Sequence, residues 1–297
     1  MSKTTTAKPK ASPSPASQSQ LQSPPSLPSL MAPGTGADSE DSLFIVLYGA
    51  PKVEKTTACS TIPNAKWIVS DPNAKPTLRA LGRMPRKENF YPCKSLVEAR
   101  EILGKAIDIA QTNGPKALGC TAVVVDSLTQ FFDWHQEDVA KATGQSFLGQ
   151  NKKENGWNQF NVEFGRLIDD LAVLSQYIPV IALAHAASKM DFSKGAWSGL
   201  SLSPKSAEKV GRMASWVLFQ TKKSFDVEED VKPSDFVRVE TMPSGARRAT
   251  ELIIHTQQVE MWTVACSSMR DEDSRPRLNA EEPADMYRLL IKEGILQ

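Results

Sequence analysis

Leu43 to Thr57 reads Leu-Phe-Ile-Val-Leu-Tyr-Gly-Ala-Pro-Lys-Val-Glu-Lys-Thr-Thr, and this stretch decides the fold. An apolar strand from Leu43 to Leu47 runs into a turn, and Lys55-Thr56-Thr57 then open a helix. That order is the layout of the phosphate-cradling pattern G-x-x-x-x-G-K-[ST]. In such a loop, backbone N–H groups wrap around phosphate, the lysine reaches the terminal phosphates and the hydroxyl serves Mg²⁺. Gly49, Lys55 and Thr56 stand where the pattern requires them, but Glu54 takes the place of the second glycine. Gly49, Lys52, Glu54, Lys55, Thr56 and Thr57 are therefore the expected nucleotide contacts. The competing reading is an ordinary strand–turn–helix that holds no ligand.

The exchange at position 54 has a physical cost. Glycine ahead of the lysine lets the backbone turn freely and come close to the ligand. Glutamate adds a Cβ and a negative charge. Two like charges about 4 Å apart repel by about 4 kcal/mol at an effective dielectric of roughly 20. Two orientations of Glu54 stay open at this point. Turned inward, it weakens ATP binding by orders of magnitude; turned to solvent, it costs little.

A chain of 297 residues suffices for one large α/β domain and a tail. The formal net charge of +1 removes any global field that would draw the molecule to nucleic acid or membrane, so a DNA contact must be a local patch. Cys59, Cys93, Cys120 and Cys266 form no C-x-x-C pair, which argues against a zinc site or a disulfide framework and for reduced thiols. No apolar run is long enough for a transmembrane helix, and the N-terminus lacks the apolar core of a signal peptide. The expectation is a cytoplasmic protein without a membrane partner. Residues 1–41 are rich in Ser, Pro, Thr, Ala, Gln and Gly and are expected to form a disordered tail, either a solubilising leader or an arm that docks a protein partner. Residues 42–297 are expected to fold as one domain.

Beyond the first strand, the hydrophobic pattern predicts strands at Lys66–Ser70, Thr121–Val125, Pro179–Ala184, Ser215–Gln220, Phe236–Glu240, Glu251–His255 and Val259–Ala265. It predicts helices at Lys94–Gln111, Leu128–Ala142, Trp157–Gln176 and Pro283–Glu293. Continuously apolar strands separated by helices imply a mainly parallel central sheet with helices on both faces; the later strands, joined by short turns, imply an antiparallel C-terminal extension. Thr121–Val125 ends in Asp126-Ser127. A carboxylate there either holds Mg²⁺ or caps the following helix.

Together, YGAPKVEKTT, VVVDSLT, the W-x-x-F helix, PVIALAH and SLSPKSAEKVGRMASWVLF resemble the RecA-like P-loop ATPases, nearest to the phage-encoded, AAA-like members used in recombination and single-strand annealing. The resemblance spans about residues 43–270. It implies ATP and Mg²⁺ as cofactors, with Lys55 and Thr56 on phosphate and metal and Asp126 on the metal. It implies that His185, which closes the third strand, senses the γ-phosphate. It also implies that the loop Ala186–Leu202, with Lys189, Lys194 and Trp197, faces single-stranded DNA, and that Arg270 reaches the ATP of a neighbouring subunit in a homo-oligomeric ring or filament. For a phage protein, the compartment would be the bacterial host cytoplasm.

The chain departs from the family pattern at Glu54, at Asp71, which stands alone where an acidic pair usually supplies a general base, and at Arg270, which lacks its companion lysine. These departures imply weak binding and slow or absent hydrolysis. A non-enzymatic assembly protein on the same fold is the main rival. A kinase or GTPase fits less well, because no N-K-x-D element or arginine-rich lid is seen. His135 and His255 read as structural, Trp157 and Trp262 as core, and Lys152-Lys153, Lys222-Lys223 and Arg247-Arg248 as solvated faces or phosphate contacts.

Overall fold

Six parallel strands carry the molecule, and their pairing follows from side chains that are apolar on both faces. The computed structural model describes residues 43–150, 156–191, 195–227, 232–234, 236–244, 246–255, 265–266 and 281–296. All of these lie in the unit Ser39–Gln297. The tail expected at residues 1–41 lies outside the described residues, as do Lys152-Lys153, Lys194, Trp262 and Arg270.

The parallel strands are β1 (Phe44–Gly49), β2 (Lys66–Val69), β3 (Phe90–Pro92), β4 (Val123–Asp126), β5 (Val180–Asp191) and β7 (Trp216–Asp226). They line up in the order β3-β2-β4-β5-β1-β7. Every residue of β1 is buried. Phe44, Val46 and Tyr48 enter one core cluster, and Ile45 and Leu47 enter the other, as the period-two alternation of a strand requires. The first cluster is covered by α3 (Leu96–Asn113), α4 (Leu128–Ala142), α5 (Trp157–Leu174) and α6 (Pro204–Met213). The second is covered by α1 (Lys55–Cys59), α2 (Ala74–Ala80) and α7 (Met286–Lys292). In α5, Phe160, Phe164, Leu167, Ile168, Leu171 and Leu174 are all fully buried. Each such side chain contributes about 1.5–3 kcal/mol of transfer free energy.

Antiparallel strands extend the sheet beyond β7. Strand β9 (Arg247–His255) pairs with β7, while β8 (Val237–Thr241) and β11 (Glu281–Pro283) pair with β9. The short β10 (Ala265–Cys266) pairs with β7. The expected fold class, a mainly parallel sheet covered on both faces with an antiparallel extension near the C-terminus, is the one observed.

Two expectations need correction. The segment after His185 is not a loop throughout: β5 continues to Asp191 and returns as β6 (Gly195–Leu200) in an antiparallel hairpin. Its residues past Ala184 carry Ser, Lys and Asp, which ended the apolar signal while the backbone pairing went on. Likewise β7 does not stop at Gln220 but reaches Asp226. Its outer half is stabilised by pairing with β9 rather than by burial. Helix α6 was not anticipated, although Ser203 at its N-cap and Pro204 in its first turn are the usual start signals.

Candidate nucleotide site

Gly49 ends β1 between two neighbours, opposite His185 on β5 and Gln220 on β7. A Cβ at Gly49 would lie 2.5 Å from the Gln220 carbonyl oxygen and 2.8 Å from a Val53 methyl. No larger residue fits, so close packing fixes this glycine. The chain then turns through two left-handed residues, Lys52 (φ 66°) and Glu54 (φ 67°). Glu54 thus keeps the backbone that glycine would adopt, at a conformational cost of about 1 kcal/mol.

Helix α1 begins at Lys55, which is buried. Its Nζ donates to the carbonyls of Gly49 and Ala50, both at 3.1 Å, and lies 3.4 Å from His185 Nδ1. Burial lowers the Lys55 pKa to about 8, against the pull of Asp126 and Asp71 in the other direction. Thr56 donates its hydroxyl proton to the Asp126 carboxylate at 2.7 Å. Burial raises the Asp126 pKa to about 6; the Thr56 hydrogen bond and Lys55 oppose this rise and Asp71 adds to it. His185 is shifted down by burial and by Lys55.

The sheet order explains this convergence. Strand β5 lies between β1 and β4, so the ends of all three strands bring His185 between the loop holding Lys55 and the carboxylate of Asp126. On the far side, Ser70 and Asp71 follow β2, and both donate their backbone N–H to the Asp126 carbonyl, at 2.6 and 3.0 Å. The Asp71 carboxylate accepts from the backbone and side chain of Asn73 and stays within electrostatic reach of Lys55 and Asp126. Asp126 does not cap α4. Ser127 does, accepting from the Gln130 N–H, which frees Asp126 for Thr56.

Compared with known protein families, residues 42–263 match the AAA domain. The chain belongs to the AAA-domain family. A comparison with curated proteins gives no match. An AAA domain is a nucleotide-binding P-loop ATPase module, and the residues present suit that ligand. A buried lysine, a hydroxyl bonded to a strand-end carboxylate and a loop with two left-handed residues would supply such a ligand with a cation, metal-binding oxygens and backbone donors in one place. Among the described residues no helix is long and apolar enough to cross a membrane.

The orientation of Glu54 is neither of the two left open by the sequence. Its carboxylate lies 3.0 Å from Lys222 Nζ on β7 and 2.8 Å from Arg238 on β8. Lys222 was expected on a solvated face; it is an ion-pair partner instead. Gln220, fully buried on the same strand, donates from Nε2 to the Val53 carbonyl at 2.6 Å. Arg238 and Gln220 escaped sequence reasoning, and Lys222 was not connected to Glu54, because all three lie far from the loop in the chain and form no motif with it. Lys52 and Thr57 stand within the loop and first helical turn as expected, Thr57 buried and Lys52 exposed. Lys189 and Trp197 are register partners across the β5–β6 hairpin. His135 is buried against Phe160, and His255 lies 2.8 Å from the Thr221 hydroxyl. Trp157 packs on the edge of the core, and Arg248 pairs with Asp226 at 3.4 Å.

Proposed function

We propose that this protein is a RecA-like ATP-binding protein of the phage-encoded, single-strand-annealing kind, acting on single-stranded DNA in recombination with slow or absent hydrolysis. The observation that carries the nucleotide part is the convergence of Lys55, Thr56, His185 and Asp126 at the ends of β1, β5 and β4. Lys55 would meet the β/γ-phosphates in exchange for the carbonyls it now contacts. Thr56 and Asp126 would hold Mg²⁺, which neutralises phosphate charge when bound. His185, 3.4 Å from Lys55, would register the terminal phosphate and pass that state along β5 into the hairpin.

The DNA part rests on that hairpin. A lysine and a tryptophan opposed in register suit a phosphate contact joined to base stacking. Lys194 belongs to the same proposed surface. Slow hydrolysis is supported by Asp71, the carboxylate that acts on Asp126 among the described residues, being already engaged by Asn73. Arg270, offered by a neighbouring copy in a ring or filament, would complete the site.

Titration of the full chain with Mg-ATP should saturate below millimolar concentration, and Lys55→Ala should weaken binding about 100-fold. No saturation would favour a non-enzymatic assembly protein whose tail docks a partner. Replacing Lys189 and Trp197 together by alanine should lower single-stranded DNA affinity about 10-fold or more. Unchanged affinity would remove the hairpin from the DNA surface.

A further inference from the structure

The loop residue least expected in a phosphate cradle is tied down at both ends of its carboxylate. Glu54 is only 16% exposed on its side chain, and both of its carboxylate oxygens are taken, Oε1 by Lys222 and Oε2 by Arg238. Gln220 and Lys222 are two residues apart on β7 and so share a face. The first holds the Val53 carbonyl and the second the Glu54 carboxylate, on successive rungs of one strand. Arg238 arrives from two strands further out, through the register Arg238–Thr250 and Thr250–Ser224. Ser224 and Thr250 hydroxyls, 3.0 Å apart, join the same face. Strand β7 and the antiparallel wing beyond it therefore grip the two residues immediately before Lys55.

Stability does not account for this arrangement. The side chains of Lys222 and Arg238 are 34% and 62% exposed, and ion pairs of that kind contribute little to folding. Their effect on the field at the loop is different. An uncompensated carboxylate beside a polyphosphate opposes binding, whereas a carboxylate sharing two cations leaves the cluster with net positive charge.

We propose that Lys222 and Arg238 form a charge clamp on Glu54, serving as positioning residues that make a loop with glutamate at the glycine position competent for a nucleoside triphosphate. This rests on the nucleotide reading above. The clamp cancels the carboxylate, holds it on the wing and fixes the backbone turn that leads into Lys55. The clamp also links the P-loop mechanically to β7, β8 and β9.

The test is a cycle of four full-length chains: the unaltered protein, Glu54→Gly, Lys222→Met with Arg238→Met, and the triple variant. Mg-ATP dissociation constants are measured at low and high salt, with thermal melts to show that each variant is folded. Loss of both cations should weaken binding about 30-fold at low salt, and less at high salt because screening shortens the reach of the bare carboxylate. Glu54→Gly should tighten binding about 3-fold when the clamp is intact and about 30-fold when it is absent, a coupling of about 10-fold. Loss of the cations without weakened binding overturns the clamp. So does a triple variant that stays as weak as the double, because the cations then act on their own account. If the unaltered protein itself fails to saturate, the nucleotide reading falls and the clamp with it, a result distinct from either of the others.

Discussion

The two halves of β7 obey different physics within one strand. From Trp216 to Gln220 every residue is buried, and the strand runs parallel to β1 in the centre of the sheet. From Thr221 to Asp226 the residues are partly or fully exposed, and the strand is held by antiparallel pairing with β9. The inner half is a core element of the central sheet. The outer half is a lever whose polar side chains return to the loop. Burial thus fixes where the phosphate loop lies, while polar contacts from an exposed ribbon govern the charge it presents.

The sharpest way to break this contrast is by truncation in each half. Trp216→Ala should cost about 3–5 kcal/mol in chemical denaturation, because a fully buried indole leaves a cavity. Phe225→Ala, at a 39% exposed position of the outer half, should cost less than about 1 kcal/mol. Equal costs would mean that the wing is as much core as the centre.

A smaller effect concerns Asp126. Because burial raises its pKa to about 6, the folded protein holds the proton more tightly than the unfolded chain does. Its contribution to stability is full below the ordinary carboxylate range and lost as pH rises through about 6. Asp126→Asn should therefore stabilise the ligand-free protein at pH 7 by about 2 kcal/mol while abolishing the Mg²⁺ dependence of nucleotide binding. A destabilised variant would show that the Thr56 contact outweighs desolvation.

The mildest test is a pH profile. Lys55 loses its charge above about 8 and Asp126 gains its own above about 6, so Mg-ATP affinity should peak between these values and fall several-fold on each side. A flat profile would separate the loop from the binding event.

Much of the centre was legible before any coordinates. Helix α4 matches its expected span, and β1, β2, β4 and α5 lie within a few residues of theirs, because continuous burial writes itself as runs of apolar residues. The wing was less legible. The outer part of β7 and the β5–β6 hairpin carry Lys, Ser and Asp in place of an apolar run, and the outer part of β7 is paired by β9, which lies more than twenty residues further along the chain. Helix α6 announced itself only through Ser203 and Pro204, since its surface is largely polar.

The sequence by itself determined that Lys55 and Thr56 would open a helix behind a strand-end loop and that Asp126 would close a buried strand, because local spacing and apolar flanks are enough to specify a strand–loop–helix and a carboxylate at a strand's end. Only the tertiary structure decided the fate of Glu54. Its charge is answered by Lys222 and Arg238, residues that contact it through sheet register rather than sequence spacing. Electrostatic compensation depends on distance in space, and a chain written in one dimension does not carry that distance.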